Sequence, residues 1–211
     1  IIGYAELLQE EADDAGQLDA LTDLRRISSS GKHLLALIND VLDLSKIEAG
    51  RIEIEREPFD LGELLSEVAE IIHPLVARNN NELWIDFADG LGTMLGDPAK
   101  VRQILLNLLS NACKFTERGT VSLAASVGRG GELVILEVRD TGIGMSEAEV
   151  AKVFEPFVQA DMSTSRRYGG TGLGLTISAT YAALMGGSIR VDSKPGEGTT
   201  FTLTLPRDQA D

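Results

Sequence analysis

The chain opens on a helical pattern already under way. Ile1, Tyr4, Ala5 and Leu8 fall on one face, so IIGYAELLQEEADD predicts the rear part of a helix. Residues 14–17, Asp-Ala-Gly-Gln, read as a turn. Residues 18–49 then carry one long helical period, with Leu24, Ile27, Gly31, Leu34, Ile38, Val41 and Ser45 recurring at alternating steps of three and four, and Gly50 ends it. A helix of about 32 residues runs near 48 Å, longer than a small domain usually accommodates. Its narrow apolar seam predicts a helical partner. Two helices joined by a tight turn make a hairpin, and a hairpin with a wide apolar face pairs with a second copy as a four-helix bundle. The competing reading is an arm folded onto its own domain. The remaining sequence can bury a core without that arm, so dimerisation is the expectation.

Residues 51–60, RIEIEREPFD, alternate charged and apolar side chains up to Pro58 and read as a strand-like linker and a domain boundary. Beyond it the pattern turns to mixed helix and strand. Residues 61–77 predict a helix burying Leu61, Leu64, Leu65, Val68, Ile71, Ile72 and Leu75, with Pro74 expected to kink or shorten it. ELWIDF at 82–87 predicts a strand, and 98–114 an apolar helix. Residues 120–127 and 132–139 predict a hairpin around Gly-Arg-Gly-Gly at 128–131. A short helix at 146–153, an irregular stretch at 154–171, a helix at 173–185 and closing strands at 187–193 and 199–205 complete the pattern. The fold class is α+β: a helical hairpin at 1–50, a linker at 51–60, and an α/β domain at 61–207.

Composition narrows the function. Hydrophobic residues make up 43% of the 211, enough for a real core. A net charge of -14 argues against a nucleic-acid grip or an anionic-membrane surface, which need clustered Lys and Arg. With one cysteine, Cys113, there is no intramolecular disulfide and no Cys-rich metal site. No apolar run reaches the roughly 18 residues of a membrane span, and no signal peptide opens the sequence. A cytoplasmic, reducing compartment is expected.

Four local signals carry chemistry. In QILLNLLSNACKFT, residues 103–116, Leu105, Leu108, Leu109 and Ala112 bury one face, while Asn107 and Asn111 project together from another and Lys114 follows. Asn is a poor interior helix former, so a paired amide here either caps neighbouring backbone or serves a ligand. An amide oxygen suits Mg²⁺, which borrows most of its ligands from water and phosphate, and Lys114 suits a phosphate. DTGIGM at 140–145 follows a strand. Its Gly142 and Gly144 permit close approach, and Asp140 can accept from an exocyclic amine such as that of adenine. FEPFVQAD at 154–161 starts a Ser-, Thr-, Arg- and Gly-rich stretch with the character of a lid anchored by Phe154 and Phe157. RRYGGTGLGL at 166–175 runs into a helix, placing glycine N–H groups and Arg166 and Arg167 where an anion would sit.

Taken in order, these segments resemble the N, G1, F and G2 boxes of the ATP-binding domain of sensor histidine kinases, in the GHKL ATPase superfamily. INDVLDLSKIEAG at 38–50 resembles the second helix of that family's dimerisation and phosphotransfer hairpin, IIGYAELL the tail of the first, and GEGTTFTLTLP at 197–206 the closing strand. The resemblance implies an α/β sandwich with a mixed sheet that binds ATP with Mg²⁺. It gives Asn111 to the metal, with Asn107 in support, and Lys114 to phosphate. Asp140 would take the adenine amine, with Gly142 and Gly144 lining the pocket and Thr199, or the adjacent Thr200, backing Asp140 through its hydroxyl. Gly170, Thr171, Gly172, Leu173 and Gly174, with Arg166 and Arg167, would close over the phosphates. It further implies a homodimer through residues 1–49 and relay of the phosphoryl group to an Asp of a response-regulator receiver domain. The family's acceptor His lies upstream of the residues matched by IIGYAELL. His33 and His73 are followed by Leu34 and Pro74 rather than by an acid, which makes them a helix-surface residue and a helix-end residue. A gyrase-like or chaperone-like clamp would carry Glu where Asn107 stands. A nucleotide-binding scaffold without kinase activity is the remaining alternative.

Overall fold

A computed structural model describes residues 1–128, 130–158 and 171–208. The chain divides into two compact units, Ile1–Gly50 and Arg51–Asp211.

The first unit is an antiparallel pair of helices, α1 (Ile2–Asp14) and α2 (Leu18–Glu48). Gly16, at φ +66°, turns the chain between them. The Gln17 N–H reaches the Ala12 carbonyl and the Gly16 N–H that of Asp13, so the end of α1 is closed by the paired bonds of a Schellman cap. Small residues let the helices approach. Ala5, Ala12, Leu21 and Ser28 are buried, and a side chain at Gly31 would strike Ile2. Most of the seam is not covered: Ile27, Leu34, Ile38 and Val41, joined by Leu35 and Leu42, remain exposed.

The second unit is a sandwich of helices on a mixed sheet. Strands β2 (Glu82–Phe87), β4 (Thr120–Val127), β5 (Leu133–Asp140), β6 (Ser188–Lys194) and β7 (Gly198–Pro206) lie in the order β2-β4-β5-β7-β6. Only β2 and β4 run parallel. Buried positions alternate along the central strands, as in Val121, Leu123 and Ala125, or Val134, Leu136 and Val138, the pattern of a sheet with one face covered. The cover is α3 (Leu61–Arg78), α4 (Pro98–Phe115) and α6 (Gly174–Leu184), while α5 (Glu147–Val150) is a single turn held by a Ser146–Glu149 capping box.

Three expectations change. Ile71 and Leu75, expected on the buried face of α3, are exposed. The helix does not break at Pro74 but continues to Arg78. Proline costs it the bond to the Glu70 carbonyl, yet Pro74 and Glu70 both face solvent, where water serves that carbonyl, and buried Ile72 and Val76 hold the helix down. His73 therefore sits inside the helix rather than at its end. The last four residues read as linker form β1 (Glu57–Asp60), which pairs antiparallel with β3 (Thr93–Gly96), a strand too short to show a period.

Candidate nucleotide site

The site is built on α4. Asp97 starts this helix: its Oδ1 accepts from the Lys100 N–H at 3.0 Å and its Oδ2 from the Glu55 N–H at 3.1 Å, with Pro98 fixed at the first turn. Val101, Ile104, Leu105, Leu108, Leu109 and Ala112 bury the core face. Asn107, Asn111 and Lys114 lie half-buried on the remaining surface.

Asn107 and Asn111 have different occupations. The Asn107 Nδ2 donates to the buried Ser178 Oγ at 2.9 Å, and its amide lies where a side chain at Gly174 would stand. It thereby holds the start of α6 against α4. The Asn111 side chain has no hydrogen-bond partner among the described residues. Lys114 reaches back over the Phe115 ring, Nζ 4.6 Å from its centroid, and burial lowers its pKa.

Beyond the end of α4 stands Asp140, 5% exposed at the end of β5. Its Oδ1 accepts from the Gly142 N–H at 2.8 Å and from the Thr116 hydroxyl at 3.4 Å. Burial raises the Asp140 carboxyl pKa, and the bonds from Gly142, Thr116 and the Thr199 backbone pull it back. Thr199 is Asp140's partner in the β5–β7 register, but its hydroxyl lies 2.9 Å from Ser193 Oγ. The hydroxyl that serves Asp140 is that of Thr116, which the sequence reading did not single out. Gly144, at φ +65°, passes so close to Lys194 that a Cβ would collide with that residue's carbonyl oxygen. Neighbouring Cys113 is buried, which pushes its thiol up to about 11 and leaves it an inert part of the core.

The glycine-rich segment enters α6 beside Asn107. Thr171 Oγ1 accepts from the Leu173 N–H at 3.0 Å, and the Gly172 carbonyl from the Phe157 N–H at 3.0 Å. The phenylalanines part company: Phe154 meets Phe201 edge-to-face at 6.4 Å, whereas Phe157 is exposed at φ +63°. Arg166, Arg167 and Gly170 lie outside the described residues, as does the His33 side chain. A shallow apolar groove of about 480 Å³ between α3 and β2, lined by Ala69, His73, Pro74, Leu83 and Ile85, shares no residue with this site.

No group of three or more His, Cys, Asp or Glu is placed to hold a metal among the described residues. An unengaged amide oxygen at Asn111 fits Mg²⁺, which takes one or two protein oxygens and completes its shell with water and phosphate.

The geometry has known counterparts. Residues 96–209 match the family model described as "Histidine kinase-, DNA gyrase B-, and HSP90-like ATPase", and residues 1–50 match the His Kinase A (phospho-acceptor) domain. The chain belongs to this ATPase family and, with the hairpin ahead of the ATPase unit, is a sensor histidine kinase catalytic core. Its relatives include the autoinducer 2 sensor kinase/phosphatase LuxQ of Vibrio parahaemolyticus, 40% identical over 98% of this chain and 24% of the relative. The circadian input-output histidine kinase CikA of Synechococcus elongatus is 44% identical over 87% of this chain and 24% of its own length. Among solved structures, full-length ShkA in complex with AMPPNP is similar at a TM-score of 0.78 and 38% identity, over 91% of this chain and 40% of that one. The chain thus spans about a quarter of the length of these curated relatives.

Proposed function

We propose that the chain binds Mg-ATP and serves the transfer of the γ-phosphoryl group to the hairpin's acceptor histidine, upstream of the residues matched by IIGYAELL, for relay to an aspartate of a response-regulator receiver domain. The observation that carries this reading is the meeting of Asp140, the end of α4 and the start of α6 around one site. The Asp140 carboxylate accepts the adenine amine, and Gly142, Gly144 and Thr199 shape the surrounding turn. Asn111 supplies an amide oxygen to Mg²⁺, which neutralises phosphate charge, and Lys114 pairs with the phosphates. Asn107 acts as a positioning residue, through its hold on Ser178 and Gly174. Thr171, Gly172 and Gly174 offer main-chain N–H groups to the phosphates, and Arg166, Arg167, Gly170 and Leu173 are assigned to phosphate binding with them. Phosphoryl transfer asks of the protein mainly placement and charge compensation, and this donor set offers both.

The apolar seam supports a homodimer through residues 1–49. No helix among the described residues is long and apolar enough to cross a membrane. We place the unit in the cytoplasm, where ATP and a receiver domain are available, with no nucleic-acid partner.

Calorimetry tests the base assignment. Asp140→Asn removes the ionised acceptor, and Mg-ADP binding is expected to weaken by about 1.5–3 kcal/mol, at least tenfold. Undiminished binding would overturn it.

A further inference from the structure

We infer that Asn79 and Asn81, on the turn between α3 and β2, are positioning residues for base recognition, acting through the C-terminal end of α4. The inference rests on the proposal that Asp140 accepts the base amine.

A helix leaves its last carbonyls without intrahelical donors, and a left-handed glycine after the helix commonly satisfies them. No such residue follows α4, because Thr116 is extended, at φ −112° and ψ 133°. Other donors are used instead. The Ala112 carbonyl accepts from the Thr116 N–H, and the Phe115 carbonyl from the Ile143 N–H in the glycine turn after Asp140. The Cys113 carbonyl accepts from Asn79 Nδ2 at 2.8 Å, and the Thr116 carbonyl from Asn81 Nδ2 at 2.9 Å. Asn81 is used at both ends, since its Oδ1 accepts from the Gly119 N–H at 2.9 Å. The Asn79 carbonyl takes the Arg118 N–H at 3.1 Å. Two amide side chains on one turn thus hold both the last turn of α4 and the loop that follows it.

Thr116 is the link to the site. It is 1% exposed, so water cannot replace a lost partner. Its carbonyl is held by Asn81, while its hydroxyl donates to Asp140 Oδ1. Loss of the Asn81 amide strands a buried carbonyl and the Gly119 N–H, and Thr116 must shift to recover a donor. That shift moves the hydroxyl that orients Asp140 and leaves Asn111, more than a turn earlier on α4, in place. Base selectivity is then lost before phosphate affinity.

The test uses the full chain and compares ADP with IDP, which carries an oxygen in place of the 6-amine, by displacement of a fluorescent nucleotide well below the melting temperature. For Asn81→Ala the ADP-over-IDP preference is expected to fall roughly three- to tenfold. Asp97→Ala, which loosens the opposite end of α4, is expected to leave that preference unchanged. Should Asn81→Ala not fold, Asn79→Ser carries the same expectation. A wild-type protein with no preference for ADP would overturn the base assignment itself. A wild-type preference that survives unchanged in Asn81→Ala, or that falls equally in Asp97→Ala, would overturn the positioning role alone.

Discussion

At the scale of the residue, Asp140 sets function against stability. An ionised carboxylate at 5% exposure is poorly solvated, and the raised pKa records that cost. The sign follows from linkage: where the folded protein holds its proton more tightly than the unfolded chain, stability falls as pH rises through the interval between their two pKa values. Above that interval the nucleotide-free protein carries the full cost. Asp140→Asn, the substitution that weakens ADP binding, is therefore expected not to lower the thermal midpoint at neutral pH, and to flatten its dependence on pH in the acid range. Melting curves of both proteins without nucleotide check this. A clear drop in the variant's midpoint at neutral pH would mean that its hydrogen bonds outweigh the desolvation.

At the scale of the element, α4 unites packing and chemistry, and its N-terminus is open to test. Asp97 is 3% exposed and bonded to two backbone N–H groups. Asp97→Ala is expected to cost about 1–2 kcal/mol for the cap and somewhat more for the stranded Glu55 N–H. A lowered urea midpoint at unchanged slope would register the loss. How far the elements were legible follows from what each had to signal. The helices α3 and α4 showed their period because one face is buried over several turns, α2 showed its own through an apolar seam that stays exposed, and β4, β5 and β7 showed theirs through alternation. Strand β3 was missed because four residues, Thr93–Gly96, carry no period. Asp140 and Asn111 stood out as polar residues in apolar surroundings. Thr116, Asn79 and Asn81 did not, because their roles are bonds to a carboxylate and to main-chain carbonyls about 24–35 residues away, which no local pattern encodes. Thr199 was expected to support Asp140 through its hydroxyl; it stands opposite Asp140 in the register, but its hydroxyl lies against Ser193, a choice that no local pattern encodes.

At the scale of the molecule, the two units are stabilised differently. The second buries an extensive core of its own, from Leu61 to Leu205. The hairpin buries little beyond Ala5, Ala12 and Leu21, and leaves a row of large apolar side chains in water. Its stability is therefore expected to depend on concentration, by about 1.4 kcal/mol for each tenfold change, while that of the second unit does not. Scanning calorimetry over a hundredfold concentration range separates the two, and a hairpin transition indifferent to dilution would argue against self-association. The one parallel pairing in the sheet, β2 with β4, reaches beyond these equilibria. Parallel neighbours require a crossover, and here α4 lies within it, so the chain between the two strands is also the framework of the nucleotide site. Closing so long a loop is entropically slow unless its helix is already formed. Early ordering of α4 then becomes a condition for the edge of the sheet to assemble at all. On that account the loss in Asp97→Ala should emerge in stopped-flow experiments as slower refolding more than as faster unfolding.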